Sequence, residues 1–439
     1  MKINRIYLLL IIGLVLIGTS CQKYFEDSNT NPNSPNKVPA SVLLPTAQLA
    51  LSYVYWGDGS RFLGLFSQHL TGASRQFVAY NNYTIVGNAV DNMWISLIYP
   101  KVLTNLKELR LVADPLTQYT YLGIADAVEA YTLLFTTDCF GDIPYSQALK
   151  GLDVPQPKFD SQEDIFKSIN ALLTSANAHF AKGKSTSFPG PDDLIYGGDV
   201  AKWKGFVSMV QARVNLRLAK RSGNYQPVLD ALSNGGLVED ARLAYGSTST
   251  ANGPWYQYNE QRNDIAIGIK YKAILAGLND PRDSTYGDVL DTDHKILTGD
   301  YALPFFTKTE QLFISAEAKF RTGDLPGAYA DYLDGIGSSF GDALKTQTEY
   351  DTYILQPSVA NGSANLTLEM IMTQKYIAMF LDPEAFADWR RTGIPSLTAN
   401  TGNQVPRRLP YPETEVLYNA NCPKPTVVNI FTRVWWDVN

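Results

Sequence analysis

Histidine and cysteine are scarce in this chain of 439 residues, which contains three of each. The histidines, His69, His179 and His294, are isolated, and no HExxH or CxxC spacing occurs. Such spacings supply the neighbouring ligands of protein-bound zinc. Phosphate-binding glycine loops and the GxSxG turn of serine hydrolases are also missing. The sequence therefore predicts no metal, no cofactor and no catalytic residues.

Basic residues are in the minority, because 37 Lys and Arg stand against 43 Asp and Glu, a net charge of −6. Nucleic-acid-binding surfaces need clustered positive charge to pair with phosphates, so the composition argues against DNA or RNA as a partner. Asp288, Asp291 and Asp293 are spaced so that a calcium ion is conceivable, but the glycine and glutamate of an EF-hand loop are absent. We interpret this stretch as a solvated acidic loop.

Long apolar runs are missing too, apart from one near the N-terminus. Residues 6–17 are almost wholly apolar and follow two basic residues, but this run is shorter than the roughly 20 residues that cross a bilayer as a helix. It predicts a signal peptide over 1–20. The small residues before Cys21 predict a lipoprotein whose acylated Cys21 is the first mature residue. Gly18 departs from the usual Leu, Val or Ile of that signal, so an ordinary secreted protein is the alternative.

The stretch that follows, 21–40, is rich in Asn, Ser and Pro, which favours an extended tether. Because acyl chains on one cysteine anchor a protein firmly when several are present, Cys21 would hold the body on a membrane. Cys139 and Cys422 are then the remaining cysteines, and their spacing leaves open whether they pair or stay free.

The remainder, 41–439, is predicted to be one mostly α-helical domain. Apolar residues recur at helical spacing in three pairs of segments, and short turns make paired helices antiparallel. The pairs lie near 88–138, 160–221 and 309–341. In the third pair, small and aromatic residues from Ala318 to Tyr332 are spaced as in a tetratricopeptide unit.

Long stretches between these pairs are predicted to be irregular, and binding sites are often found in such insertions on a rigid scaffold. They are 56–88, 236–262, 280–304 and 395–439. Trp94 and Trp203 fall within helical patterns and are predicted to be core residues, and Trp389 is also interpreted as structural. For Trp435 and Trp436, docking of the C-terminal tail and contact with a partner both remain open.

Several motifs occur together in one order along the chain. They are "TDCFGDIPYSQAL" at 137–149, "LNDPRD" at 278–283, "AEAKFRTGD" at 316–324, "FADWRRTGIP" at 386–395 and "RRLPYPETEVLYN" at 407–419, all downstream of the lipoprotein cysteine. With that cysteine, they make the whole chain resemble the SusD/RagB family of outer-membrane lipoproteins of Bacteroidota.

This resemblance implies a tetratricopeptide-like SusD fold and a non-enzymatic, lipid-anchored protein exposed at the cell surface. Its implied partner is a SusC-like TonB-dependent transporter, a plugged β-barrel, to which it delivers captured oligosaccharides or, in some branches, peptides. The helical pairs are implied to face the barrel and the irregular part to carry the ligand site.

Sugar recognition needs flat apolar faces for the ring and polar groups for the hydroxyls, because an unpaired buried hydroxyl costs about 1 to 3 kcal/mol. Two predicted loops, 74–84 and 251–264, combine both features. The candidate ligand-binding residues are Arg75, Tyr80, Asn82, Tyr83, Trp255, Tyr256, Tyr258, Asn259 and Arg262. The alternative for each is packing against its own scaffold.

Two other functions remain open from the sequence alone. A surface glycoside hydrolase needs two carboxylates about 5 to 10 Å apart, and a chain with 43 acidic residues does not exclude such a pair. A purely structural surface protein would use its aromatic insertions to dock a partner.

Overall fold

Helices make up most of the chain in the computed structural model, which describes residues 38–183, 185, 187–286 and 297–439. The predicted signal peptide, Cys21, most of the predicted tether and the acidic stretch 288–293 lie outside the described residues. The predicted fold class, mostly α with tetratricopeptide-like pairs, is confirmed.

The elements are named here in chain order. The α-helices are α1 (Ala40–Tyr53), α2 (Ser60–Phe66), α3 (Arg75–Asn81), α4 (Thr104–Ala113), α5 (Tyr119–Phe140), α6 (Gln162–Ala181), α7 (Val200–Ser222), α8 (Gln226–Ser233), α9 (Pro254–Gln261), α10 (Ile269–Gly277), α11 (Asp283–Tyr286), α12 (Lys308–Thr322), α13 (Leu325–Asp342), α14 (Gln347–Tyr353), α15 (Leu368–Ala378), α16 (Glu384–Thr392) and α17 (Glu413–Tyr418). The strands are β1 (Leu70–Gly72), β2 (Ile143–Pro144), β3 (Phe159–Asp160), β4 (Ala241–Leu243), β5 (Ile265–Ile267) and β6 (Leu303–Phe306). They form three antiparallel pairs, β1 with β5, β2 with β3, and β4 with β6.

Two π-helical segments, Val54–Gly59 and Asn92–Leu103, precede α2 and α4. The second contains Pro100, which cannot donate the backbone hydrogen bond of a regular helix. In the part of the chain that the structure describes, no helix has both the length and the apolar character needed to cross a membrane.

The α12–α13 pair shows how the sequence sets a tight helical hairpin. α12 ends at Gly323, whose φ of 92° is the left-handed conformation that glycine adopts without strain. The side chain of Asp324 then accepts a hydrogen bond from the backbone N–H of Gly327 and caps α13. A Cβ on Gly335 would lie 3.1 Å from the ring of Phe313, so the missing side chain permits the close approach of the two helices.

The second predicted pair is differently arranged. The sequence pairs α6 with α7, whereas in the structure α6 packs most extensively against α5, and α7 against α8. The reason is the connection between α5 and α6, in which β2 and β3 pair antiparallel and turn the chain back on itself. A Cβ on Gly123 of α5 would lie 2.5 Å from the ring of Phe180 on α6, which makes this contact a close one.

The stretch 56–88, predicted to be irregular, is largely helical and contains α2 and α3. Its glycines lower helix propensity, and this obscured the helical spacing of its aromatic residues. In the structure the glycines serve packing, since a Cβ on Gly59 would lie 2.6 Å from the ring of Phe135. Phe62 and Phe66 lie one turn apart on α2 and are both buried.

The other predicted insertions also contain regular elements. The stretch 236–262 contains β4 and α9, and 280–304 contains α11 before the residues that are not described. In 395–439 the structure has one short helix, α17, among irregular segments.

The tryptophans of the helical patterns are buried, as predicted. Trp94 and Trp203 are core residues, and Trp389 is also buried. The C-terminal tail docks through Trp436, which is fully buried and whose Nε1 donates to Asp138 Oδ1 at 2.6 Å. Trp435 is partly exposed, and its contact with a partner stays a prediction. The cysteines Cys139 and Cys422, left open above, are both free and buried.

Buried ion pairs join the helices at the centre of the molecule. From α7, Arg213 forms a bidentate pair with Glu310 of α12 at 2.7 and 2.8 Å. One turn later, Arg217 bonds both Asp138 of α5 and Glu384 of α16. All five side chains are buried, and charged groups are rarely fully buried unless they are paired in this way.

A second buried group connects α12, α15 and α16. Arg391 binds both carboxylate oxygens of Glu317 at 2.7 and 2.6 Å and also donates to Asp388. The amine of Lys375 lies 2.7 Å from the other oxygen of Asp388. Burial raises the pKa of Asp388, but the charges of Lys375 and Arg391 outweigh it and lower this pKa to about 2.

We predict that Glu317→Gln destabilises the protein by about 3 kcal/mol, because it leaves the buried guanidinium of Arg391 with too little negative charge. The matched control is Glu163→Gln, which breaks a pair with Lys167 between side chains that are more than half exposed. This control should change the free energy of unfolding by less than about 0.5 kcal/mol. Urea unfolding measures both, and equal effects would contradict the structural role assigned to Glu317.

Candidate ligand-binding surface

The two segments predicted as ligand loops, 74–84 and 251–264, lie side by side. β1 precedes the first segment and β5 follows the second, and the two strands pair antiparallel. Further backbone bonds extend this contact, since the N–H groups of Ala73 and Ser74 both donate to the carbonyl oxygen of Asp264. The strand pair therefore brings together helices α3 and α9, which are far apart in sequence.

Aromatic rings form the seam between α3 and α9. Phe77 of α3 lies edge-on to Tyr258 of α9, with ring centroids 5.8 Å apart, and Tyr80 packs against Phe77 at 5.3 Å. Tyr80 and Tyr258 are both partly exposed. The guanidinium of Arg61 lies 4.5 Å from the ring centroid of Tyr258, within the range of a cation–π contact.

A buried carboxylate positions two arginines on this seam. Arg75 Nη1 donates to one oxygen of Asp264 and Arg262 Nε to the other, each at 2.8 Å. Ser74 Oγ adds a third bond at 3.0 Å. The side chain of Asp264 has no exposed area, whereas Arg75 is 58% exposed and Arg262 is 36% exposed. We call Arg75, Tyr80, Tyr258 and Arg262, with Asp264 beneath them, the α3–α9 surface.

Protonation on this surface follows from burial and charge. Burial raises the pKa of the Asp264 carboxyl, but bonds from Arg262 and Ser74 outweigh it and the net pKa is lowered. Asp264 is therefore an anion at neutral pH. Burial raises the pKa of both Tyr80 and Tyr258, which the nearby charge of Arg262 only partly offsets. Both phenols thus remain hydrogen-bond donors.

The α3–α9 surface offers partly open aromatic faces bordered by donors whose positions are fixed. Such a combination suits a ring-shaped ligand with hydroxyl groups. The buried hydroxyl of Tyr258 and the amide nitrogen of Asn259 have no hydrogen-bond partner among the described residues.

Trp255 and Tyr83 require a correction, because both are core residues. Trp255 is 1% exposed, and its Nε1 donates to Ser60 Oγ at 3.1 Å. Tyr83 is also buried, and its hydroxyl accepts a bond from the backbone N–H of Asn400. Trp255 lies three residues before Tyr258 on neighbouring positions of α9, but the ring of Trp255 is covered whereas Tyr258 is partly exposed. Neither Trp255 nor Tyr83 presents a ring face to a ligand.

The remaining candidates lie beside this surface. Tyr256 is partly exposed on a neighbouring face of α9. Asn82 is exposed just past the end of α3 and borders a depression of about 450 Å³ that also contacts Thr71, Lys270 and Asn400. The structure therefore divides the nine predicted residues among the α3–α9 surface, its surroundings and the core.

Sequence reasoning missed Arg61, Asp264 and Gln76. Gln76 Oε1 accepts a bond from Arg262 Nη2 at 2.7 Å and so fixes this arginine from the α3 side. Asp264 stands directly before the alternating apolar residues of β5, where an acidic residue looks like an ordinary strand end. Arg61 is part of the stretch predicted to be irregular, so its position on α2 was not foreseen.

Comparison with known protein families shows which family the chain belongs to. A family profile described as SusD-like, starch-binding and associating with the outer membrane, matches residues 32–302 and 292–412. The chain belongs to this SusD-like family. The resemblance to SusD/RagB lipoproteins, based on the motifs above, is thereby confirmed. A search of curated proteins found no match.

Solved structures share the SusD-like fold at low sequence identity. A Bacteroidetes AC2a SusD-like protein has a TM-score of 0.75 at 20% identity, over 92% of this chain and 100% of its own. A SusD/RagB family protein of Bacteroides thetaiotaomicron has 0.72 at 22%, over 91% and 99%. A chitin-binding SusD homologue of Flavobacterium johnsoniae has 0.72 at 21%, over 91% and 98%. At these identities, the likeness shows the fold alone.

The neighbours Trp255 and Tyr256 provide a test of this division between core and surface. We predict that Trp255→Ala costs about 3 to 5 kcal/mol, because it leaves a large cavity. Tyr256→Ala should cost less than about 1 kcal/mol, because its ring is partly in solvent. Thermal or urea unfolding of the two variants compares them directly. Equal destabilisation would contradict the placement of Trp255 in the core.

Proposed function

We propose that this SusD-like protein is a non-enzymatic lipoprotein that captures oligosaccharides at the cell surface. It then delivers them to a SusC-like TonB-dependent transporter. The observation that carries the proposal is the α3–α9 surface, where partly exposed Tyr80 and Tyr258 lie beside the fixed donors of Arg75 and Arg262. Ring faces and directed donors on one surface are the two features that sugar binding needs.

The comparisons support a carbohydrate ligand. The family is described as starch-binding, and two structural relatives are described as chitin-binding. These proteins differ from this chain at about four residues in five. They therefore support carbohydrate as the ligand class, and the individual sugar has to be identified by experiment.

The sequence motifs are the basis for proposing a lipid anchor and delivery of the ligand to a transporter. The family description associates these proteins with the outer membrane, and acylated Cys21 would supply the attachment. In our proposal, the tetratricopeptide-like helices face the transporter and α3 and α9 face the ligand.

Hydrolysis is disfavoured by the carboxylates nearest to the tyrosines. A glycosidase needs one carboxyl group that is protonated at working pH to act as general acid. On this surface Asp264 binds two arginines and its pKa is lowered. Asp58 is paired with Arg61 at 2.6 Å. Asp264 is therefore not suited to donate a proton to a glycosidic oxygen.

Titration calorimetry tests the proposal, using the protein purified from membranes in detergent and panels of neutral oligosaccharides, acidic oligosaccharides and peptides. We predict that oligosaccharides bind and that chromatography recovers them uncleaved. Shortened sugars would favour a hydrolase, and binding of peptides alone would favour peptide capture.

Variants at single tyrosines test where on the protein the oligosaccharide binds. Tyr80→Leu keeps the apolar contact with Phe77 but removes the aromatic face, so it should weaken binding about tenfold or more. Tyr418→Ala is the control, because Tyr418 is 75% exposed on α17 and lies outside the α3–α9 surface. Equal affinities for both variants would place the ligand elsewhere.

A further inference from the structure

The ion pairs of the α3–α9 surface and of the neighbouring Arg61 contain more arginines than carboxylates. Three arginines, Arg61, Arg75 and Arg262, face two carboxylates, those of Asp58 and Asp264. Because Arg61 is paired with Asp58, Arg75 and Arg262 share the single charge of Asp264.

Arg75 and Arg262, which share Asp264, both retain N–H donors that no described residue accepts. Arg75 uses Nη1 for Asp264, and the described residues provide no partner for its Nε and Nη2. Arg262 uses Nε for Asp264 and Nη2 for Gln76, which leaves Nη1 without a partner in the same part of the chain. A guanidinium has five N–H donors in a planar fork that matches the oxygens of a carboxylate or sulfate.

The backbone at Arg75 is strained. This residue has a φ of 49°, which is the left-handed region that residues with a side chain seldom adopt. Such strain persists where surrounding contacts enforce it, and it concentrates at ligand-binding positions. Here the Asp264 carboxylate and the two backbone bonds to its carbonyl oxygen enforce it. The strained conformation keeps the guanidinium 58% exposed beside its buried partner.

A second group of two arginines and one aspartate serves as a comparison for Arg75, Arg262 and Asp264. Asp437 is fully buried and pairs with Arg407 and Arg433. Arg407 is 14% exposed, lies over the ring of Trp389 and donates to the carbonyl oxygen of Arg390. Arg407 therefore uses most of its donors within the protein, whereas Arg75 uses only Nη1. Arg433 also uses only Nη1, for Asp437, and is 43% exposed, so it is the comparable arginine outside the α3–α9 surface.

We propose that the captured oligosaccharide is acidic and that its anionic group, a carboxylate or a sulfate, pairs with Arg75 and the free Nη1 of Arg262. The adjoining sugar ring then packs against the open face of Tyr80. This inference rests on the proposed capture function and adds the charge class of the ligand.

The test compares matched ligands by calorimetry on the same detergent-purified protein. The probes are an oligogalacturonate, its fully methyl-esterified form, a sulfated galactan oligosaccharide and a glutamate peptide. We expect an acidic sugar to bind at least about tenfold more tightly than the neutral ester, because charge-assisted bidentate pairs are the stronger hydrogen bonds. Comparison of uronate with sulfate identifies the anionic group. Raised salt should weaken the binding of the acidic sugar.

Arg75→Gln should remove most of this preference, because it lowers the affinity for the acidic sugar by more than the affinity for the ester. The control is Arg433→Gln, which removes an arginine that is 43% exposed beside a buried aspartate but away from the tyrosines. It should leave both affinities unchanged, and it also reports any general effect of lost charge.

Equal affinity for the acidic and esterified sugars would overturn the charge inference but leave the capture function standing. Binding of the peptide without any sugar would overturn both. No binding of any of the four probes, together with binding of a neutral oligosaccharide from the panel above, would overturn the charge inference and leave the capture function standing. A loss of affinity in Arg433→Gln equal to that in Arg75→Gln would also contradict the assignment, because it would show a non-local charge effect.

Discussion

The structure depends on buried ion pairs between arginines and carboxylates at the junction of its helices. Arg213 and Arg217 extend from α7 to α5, α12 and α16, and Arg391 connects α16 with α12. A hydrophobic cluster of the same volume is often as stable as a buried ion pair, but loss of one partner is costly because a charge remains unpaired. The pairs therefore fix which helices meet, and apolar burial supplies most of the driving force.

This network explains why the motifs that carry the family resemblance describe the scaffold. Asp138, Glu317 and Arg391 lie in three of those motifs, and each is a member of the buried pairs. Arg282, in "LNDPRD", is also fully buried and binds Asp280 and Ser339. A short chain of hydrogen bonds links this scaffold to α9, because Trp255 donates to Ser60, which donates to the carbonyl oxygen of Leu381 just before α16.

Much of the fold could be predicted from the sequence, because helical spacing and capping residues are local signals. Glycine is the residue that most often follows a helix in the left-handed conformation, and Gly323 after α12 and Gly393 after α16 both adopt it. The ion pairs could not be predicted, because arginines four residues apart on a helix look like a solvated face. Their partners are up to 167 residues away in sequence. The α3–α9 surface was found only in part, since the strand pair that assembles it is three residues long on each side. Burial of Trp255 depends on α2, and that helix was concealed by glycines.

The most direct test of this account is hydrogen–deuterium exchange of the protein with and without an oligosaccharide that it binds. The account predicts slower exchange of backbone amides in 73–82 and 254–264, because the ligand contacts α3 and α9 and restrains the β1–β5 pair between them. An apolar depression beside α17 is bordered by Val86, Tyr411 and Leu417. The backbone amides of these bordering residues should exchange at an unchanged rate. Protection at that depression, with none at α3 and α9, would contradict the location of the ligand site.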